Sequence, residues 1–291
     1  MRLLVRVIER RSFSAAAADL GLPRSTATEA IKQLETRLGI RLLERTTRHV
    51  APTPEGKAYY ERCLSILADM EDAEGVFRDA QPRGRVRIDV NREMFRTFML
   101  PRLPEFLEAY PLIDLHIGQG DRLVDLVREG VDCVIRSGEP DDSGMIVRRV
   151  ATIREVTCAS PAYLKKYGTP KTLKDLDGHS MVGFVSSRTG EVMPLEFVVD
   201  GKPQRIVLPS RITVNNSDTM ADLARLGYGL VQAPYYRFRD DIAKGILREV
   251  LPRNPPTPTP YSALYPQNRQ IAPRVRVFID WVAGLFAKTE L

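Results

Sequence analysis

Histidine and cysteine are scarce in this chain, with three of each among 291 residues. Cys63, Cys133 and Cys158 are scattered with no close pair, which excludes a disulfide framework and the usual zinc-ligand spacings. Buried structural thiols are the simpler reading of them, and redox sensing by Cys133 and Cys158 the alternative. His49, His116 and His179 fall in no triad or metal pattern, and no general acid–base pair can be nominated. No catalytic site and no metal site is therefore expected. Gly118-Gln119-Gly120 lacks the third glycine of a dinucleotide-binding loop. Long apolar runs are missing as well, so nothing in the sequence would span a bilayer. Arg2, Arg6, Glu9, Arg10 and Arg11 break up any apolar segment of a secretion signal. The expectation is a cytoplasmic protein with no membrane association.

Hydrophobic residues make up 43% and charged residues 27%, a composition able to bury real cores, and the length suits two domains. The net charge of +6 is unevenly placed: residues 1–57 hold eleven basic against six acidic side chains, nearly the whole surplus. A basic head on a near-neutral body points to a polyanion, while a solvated basic surface is the plainer alternative.

Apolar Leu3, Leu4, Val7 and Ile8 have helical spacing. Ser12 and Ser14 offer capping oxygens before Ala15-Ala16-Ala17-Ala18-Asp19-Leu20, and Gly21 suits the left-handed end of that short helix. Pro23 stands where another helix begins, predicted from about Arg24 to Leu38 with Ala27, Ile31, Leu34 and Leu38 facing inward. Two helices joined by a tight glycine turn make a helix-turn-helix, whose second helix enters the major groove of DNA. Its outer side carries Arg24, Ser25, Thr28, Glu29 and Lys32. Arg24 suits guanine edges, and Ser25 and Thr28 suit bases or phosphates. A short hairpin follows Gly39, with Arg45, Thr46, Arg48 and His49 at its tip, placed for phosphate or minor-groove contact.

Thr53 and Pro54 start a further helix, and Tyr59, Cys63, Ile66, Met70, Ala73 and Phe77 step along it as a heptad seam. That seam reads as a dimer contact, which would set two recognition helices on an interrupted inverted repeat. Gln81-Pro82-Arg83-Gly84 reads as a joint. Beyond it strands and helices alternate. Val86, Ile88 and Val90 lead, with a helical stretch near Met94 to Tyr110, a strand over Ile113, Leu115 and Ile117, a helix from Asp121 to Glu129 and a buried strand over Val131–Ile135. This argues for an α/β lobe with a largely parallel sheet. A second set holds a hairpin turning at Asp200-Gly201, a strand at Ile212–Val214, a helix from Asp218 to Leu226 and a strand at Gly229–Val231. Pro255–Pro260 reads as an extended crossing, and a helix from Arg274 to Phe286 closes the chain.

Several runs carry a resemblance: Ser12-Phe13-Ser14-Ala15-Ala16-Ala17, Leu20-Gly21, Ile31-Lys32-Gln33-Leu34-Glu35, Leu38 through Arg48, and Thr53-Pro54-Glu55-Gly56. In the body they are Ile135-Arg136-Ser137-Gly138, Cys158 through Leu164, and Gly227 through Pro234. Together they resemble the LysR-type transcription regulators over essentially the whole chain. Glu29 stands where an arginine is common in that family, and the first helix starts a few residues later than usual. The resemblance implies an α+β multidomain chain. A winged helix-turn-helix would occupy 1–53 and a long dimerisation helix 54–80. A two-lobed α/β effector domain similar to periplasmic binding proteins would occupy 85–291, with lobe 1 about 85–159 and 259–291 and lobe 2 about 160–258. It also implies a homodimer, pairing of dimers into a homotetramer, and contact with RNA polymerase.

Open α/β sheets bind ligands beyond the carboxyl ends of their strands, where helix N-termini attract anions. Those positions are Asn91, Arg92 and Glu93, then Gln119 and Gly120, then Arg136, Ser137 and Gly138. The other lobe adds Phe184, Asn215, Asn216, Ser217, Gln232 and Pro234. Two readings stand for Asn216 and Ser217, as helix caps or as ligand contacts, and for Arg136, as a ligand partner or as the partner of Glu139 or Glu93. The expected effector is a carboxylate or another small polar molecule, with no cofactor. A cytoplasmic solute-binding protein without a regulatory role would explain the body but leave the head and the heptad helix without a purpose.

Overall fold

The computed structural model describes residues 1–45, 50–75, 81–138, 144–267 and 271–287. The head opens with α1 (Arg2–Arg10), α2 (Phe13–Asp19) and α3 (Arg24–Leu38). Leu4 and Val7 bury α1 against Ala16, Ile31, Leu42 and Leu43. The Ser12 hydroxyl accepts the Ala15 N–H at 3.3 Å and caps α2. Gly21, at φ 65°, turns the chain toward α3, whose N-cap is Pro23. Ala27 and Ile31 are buried as expected, but Leu38 is exposed, because α3 ends at Gly39 in the left-handed region before that turn reaches the core. Strands β1 (Leu43–Arg45) and β2 (Val50–Pro52) pair antiparallel. The Glu35 carboxylate accepts the Leu42 and Leu43 N–H groups at 2.8 and 3.1 Å and fastens this wing to α3.

Helix α4 (Pro54–Gly75) starts under the wing, capped by the Thr53 hydroxyl, which accepts the Gly56 N–H at 2.9 Å. A Cβ on Gly56 would stand 1.8 Å from the Leu42 carbonyl oxygen, so only glycine lets α4 run this close. Glu61 of α4 forms an ion pair with Arg87 at the start of the body.

Lobe 1 is built on β3 (Gly84–Val90), β4 (Ile113–Gln119), β5 (Cys133–Ser137), β6 (Met145–Ile153) and β14 (Thr259–Pro266), in spatial order β4-β3-β5-β14-β6. β3 runs parallel to β4 and β5, and β14 runs antiparallel between β5 and β6. Val86, Ile88 and Val90 face α11 (Pro273–Phe286) through Val275, Phe278, Ile279 and Val282. The single expected helix over Met94–Tyr110 is instead composite: α5 (Arg92–Met94), a π-turn over Phe95–Met99, a 3-10 turn over Leu100–Arg102 and α6 (Leu103–Ala109). Pro101 and Pro104 each remove an N–H donor, so one regular ladder cannot run through. α7 is likewise shorter than expected, Leu126–Glu129, because Asp125 rather than Asp121 caps it.

Lobe 2 centres on β7 (Glu155–Ala159), which was expected to belong to lobe 1. It pairs antiparallel with β12 (Val231–Pro234) and β13 (Arg248–Glu249), so the first crossing between lobes lies at Arg154. β8 (Gly183–Phe184) and β11 (Thr213–Val214) pair in parallel, and a parallel bridge between Met181 and Leu230 joins them to the rest as β11-β8-β12-β7-β13. Helices α8 (Pro161–Tyr167), α9 (Ser217–Arg225) and α10 (Tyr235–Ala243) cover this sheet. Strands β9 (Leu195–Val199) and β10 (Lys202–Ile206) form the expected hairpin, with Asp200 and Gly201 at φ 49° and 75°, as a two-residue type I′ turn requires.

Both sheets follow one plan. In each, the fourth strand runs against its neighbours and comes from across the lobe boundary: β14 returns from lobe 2, and β7 arrives from lobe 1. The two lobes are therefore linked by two short passages of chain, a hinge.

Candidate DNA-binding face and interlobe cleft

Ala27 and Ile31 lie on the buried stripe of α3, so the 100° helical step turns Ser25, Glu29 and Lys32 directly outward. Arg24, Ser25, Glu29 and Lys32 are all exposed. The Thr28 hydroxyl donates to the Arg24 carbonyl at 3.0 Å, and Gln33 donates to the Glu29 carboxylate at 3.3 Å. The backbone of Arg45 ends β1 at the wing, while Thr46, Arg48 and His49 lie outside the described residues. Arg10 grips Asp19 with two bonds of 2.7 and 2.9 Å, tying α1 to α2 and holding the Asp19 carboxyl below its ordinary range.

The seam on α4 divides. Cys63 is buried in the head core with Leu4 and Val7, and Tyr59 packs against the same core, so these two residues are spent within the head. The physical cause is α1, whose apolar face needs cover that the small head does not otherwise supply. Ile66 is half-buried and Met70 is exposed. Ala73 is on the helix, and Phe77 lies outside the described residues.

In the body, the ends of β3 and β4 meet the start of α9. Asn91 caps α5 by accepting the Glu93 and Met94 N–H groups at 3.0 and 3.2 Å. Its amide donates across the lobe boundary to Ser217 at 3.2 Å, and within lobe 1 to Asp121 at 2.5 Å. Asp121 in turn accepts the Ser217 N–H at 2.7 Å and the Ser217 hydroxyl at 2.9 Å. Arg237 completes the cluster with a buried guanidinium that donates to Asp218 at 2.8 Å, Ser217 at 3.0 Å and Asn91 at 3.3 Å. Arg92 reaches Asp218 at 3.4 Å. Beside this cluster Ser187 of lobe 2 accepts the Leu123 N–H at 3.2 Å and donates to the Asp121 carbonyl at 3.4 Å. A polar cavity of about 430 Å³ adjoins it, lined among others by Arg92, Glu93, Arg96, Arg225, Arg237 and Asp240.

The remaining expected ligand contacts sit differently. Arg136 of β5 pairs with Asp89 of the adjacent β3, and also donates to the Arg122 carbonyl at 3.1 Å. Of the two partners expected for it, Glu93 gives way to Asp89, and Glu139 lies outside the described residues. Gln232 is committed inside lobe 2: its oxygen accepts the Glu196 N–H at 2.7 Å, and its nitrogen donates to Thr157 at 2.8 Å and the Glu196 carbonyl at 2.7 Å. Asn216 caps α9 by accepting the Thr219 N–H at 2.9 Å. Phe184 packs on the lobe 2 core, and Pro234 ends β12. Gln119 and Asn215 are exposed, as is Ser137 at the end of β5. Gly120 and Gly138 donate their N–H groups to Val90 and Pro260 at 3.3 and 2.9 Å. Sequence reasoning missed Asp121, Ser187, Asp218 and Arg237 as cleft residues. The one local signal was a lone arginine inside Tyr235-Tyr236-Arg237-Phe238.

All three cysteines are buried. Burial pushes the Cys158 thiol up to about 12 and raises those of Cys133 and Cys63, so none is a ready thiolate. Among the described residues no group of three or more His, Cys, Asp or Glu could hold a metal, and no helix is long and apolar enough to cross a membrane. His179 is buried beside Tyr163, whose hydroxyl lies 3.1 Å from its Nδ1, and burial lowers the pKa of its ring.

Comparison with known proteins bears on both regions. Residues 1–57 match the family of bacterial regulatory helix-turn-helix proteins of the lysR family, and residues 79–287 match the LysR substrate binding domain. The HTH-type transcriptional regulator YhjC of Escherichia coli is 37% identical, covering 98% of this chain and 96% of its own. An HTH-type transcriptional repressor of Pseudomonas aeruginosa is 33% identical over 99% of this chain and 92% of its own. The structure of CrgA, a LysR-type transcriptional regulator from Neisseria meningitidis, superposes with a TM-score of 0.61 at 32% identity, covering 98% of this chain and 97% of that one.

Proposed function

The chain belongs to the LysR family of DNA-binding transcriptional regulators, with an effector-binding domain behind its helix-turn-helix, and on that premise we propose the following division of labour. The protein is a cytoplasmic, non-enzymatic homodimer, two of which pair into a tetramer. Each dimer sets two α3 helices into successive major grooves of an interrupted inverted repeat. Arg24 reads a guanine edge, and Ser25, Thr28, Glu29 and Lys32 complete the contact with bases and phosphates. The part of α4 beyond Cys63, with Met70 at its surface, joins the protomers.

A small molecule bound between the lobes favours one hinge arrangement over another, and the population follows that differential affinity. The body then re-spaces the heads, altering DNA bend and the access of RNA polymerase. The observation that supports this most directly is the outward set on α3, displayed by a head that holds nearly all the chain's positive surplus. A solute-binding role without DNA leaves that face and charge without a use.

Fluorescence anisotropy on a duplex from upstream of the protein's own gene tests the reading. The binding constant should fall linearly with salt on logarithmic axes and exceed that for random duplex. Absence of salt-sensitive, sequence-dependent binding by the intact protein would refute it.

A further inference from the structure

We propose that Asp121 is the anion of the interlobe cleft: a carboxylate supplied by the chain itself latches lobe 1 to lobe 2, so the cleft closes without an external anion and selects effectors that carry no negative charge. This deepens the reading of the cleft as the effector site and rests on it for the word effector alone.

The cluster is balanced bond by bond. The Ser217 hydroxyl donates once, to Asp121, and accepts twice, from Asn91 and Arg237. One Asp121 oxygen takes the Ser217 N–H and O–H, and the other takes the Asn91 amide. Asp121 and Asn91 belong to lobe 1, while Ser217 and Arg237 belong to lobe 2, so each of the bonds between these pairs spans the boundary. Ser217 is the first residue of a nine-residue helix, where the peptide dipoles favour negative charge. A carboxylate or another small polar effector was expected in this cleft, and the chain's own carboxylate already takes the anion's place.

The cations of the region are matched as well. Among the described residues, Arg237 and Arg92 face Asp218, Arg136 faces Asp89 and Arg122 faces Glu129. The adjoining cavity sets five arginines against five carboxylates, so an arriving carboxylate would meet Asp121 with no net positive charge in that lining to offset it. Asp121 is itself only partly exposed, so water screens that repulsion incompletely. A neutral or cationic molecule meets no such barrier. It can loosen the latch by donating to Asp121 in place of Ser217.

Vacating the seat tests the proposal. Asp121→Gly in the full chain should lower the melting temperature by about 5 °C. Sodium formate at about 50 mM should restore at least half of that loss by mass action, whereas sodium chloride at equal ionic strength should not. Wild type should respond identically to the two salts. Asp121→Asn keeps the volume but not the charge and should be destabilised without formate rescue. Should Asp121→Gly fail to fold in chloride, its refolding yield in formate against chloride reads the same quantity. Equal formate stabilisation of wild type and Asp121→Gly, or no rescue of Asp121→Gly by either measure, overturns the latch. Neither readout involves DNA, so wild-type anisotropy on the upstream duplex separately decides the regulatory reading.

Discussion

The outward face of α3 and the cleft at Asn91, Asp121, Ser217 and Arg237 treat their polar groups in opposite ways. On α3, Arg24, Ser25, Glu29 and Lys32 are exposed, open to a partner that arrives from solvent. In the cleft the polar groups satisfy one another across two lobes, with little left for a newcomer. The first arrangement is a surface whose binding strength depends on what arrives and on how much salt competes. The second is a surface whose response depends on displacing a partner already in place. One protein thus presents a face that recognises by acceptance and a cleft that recognises by competition.

Breaking the cleft should have the largest effect. Arg237→Ala leaves the Asp218 carboxylate only the exposed Arg92 at 3.4 Å and removes donors from Ser217 and Asn91, which should cost the body about 3 kcal/mol. Urea unfolding followed at Trp281, the only tryptophan, reads this directly, because that ring packs on Phe106 and Phe278 of lobe 1. A loss below about 1 kcal/mol would mean that the cluster is not a latch.

The hinge should respond next, and through pH. Glu155 opens β7 at the first crossing, and burial pushes its carboxyl up to about 7, with the Thr259 hydroxyl, 2.7 Å away on the returning strand, and Glu196 modifying the shift. A carboxyl whose folded value lies above its unfolded one contributes a penalty that is absent below about pH 4.5 and grows until about pH 7. Stability should therefore fall with rising pH across that window, by at most about 3 kcal/mol. Glu155→Gln should flatten this slope, as denaturant melts at several pH values would show.

Smaller effects belong to the head, and they sharpen the contrast by leaving Trp281 unfolding unchanged. Arg24→Ala should cost about 1–3 kcal/mol of discrimination between cognate and random duplex. Lys32→Ala should weaken binding to both alike and lower the salt slope by about 1. If the two variants weaken both duplexes in the same proportion, the separate roles given to these residues are wrong.

The head was the more legible region because its signals are local. Gly21, Pro23 and Gly39 mark the ends of helices through backbone conformations that nearby residues settle, and α3 spans the expected Arg24–Leu38. The hairpin at Asp200-Gly201 was legible for the same reason. The cleft was not, because Asp121 and Arg237 lie in different lobes and neither neighbourhood predicts the other. Asp121 was expected only as the first residue of a helix, yet its carboxylate goes across the boundary and Asp125 takes the capping position. The long strand β6 escaped notice because Ile146 through Arg149 are all exposed, which removes the apolar alternation that marks a half-buried strand. On α4, apolar residues serve the head and leave others outward, and periodicity alone cannot tell which neighbour each will meet.

The exchanged strands have a consequence for how the molecule is made. β14 fills the slot between β5 and β6, and α11 roofs the same sheet, yet both come after all of lobe 2 in the chain. During synthesis the first half of lobe 1 must wait, with Val86, Ile88 and the faces of β5 and β6 uncovered, until all of lobe 2 has emerged. A stop codon anywhere before residue 259 would therefore spoil the lobe translated first, and a nascent chain paused within lobe 2 is the species that chaperones would have to shield.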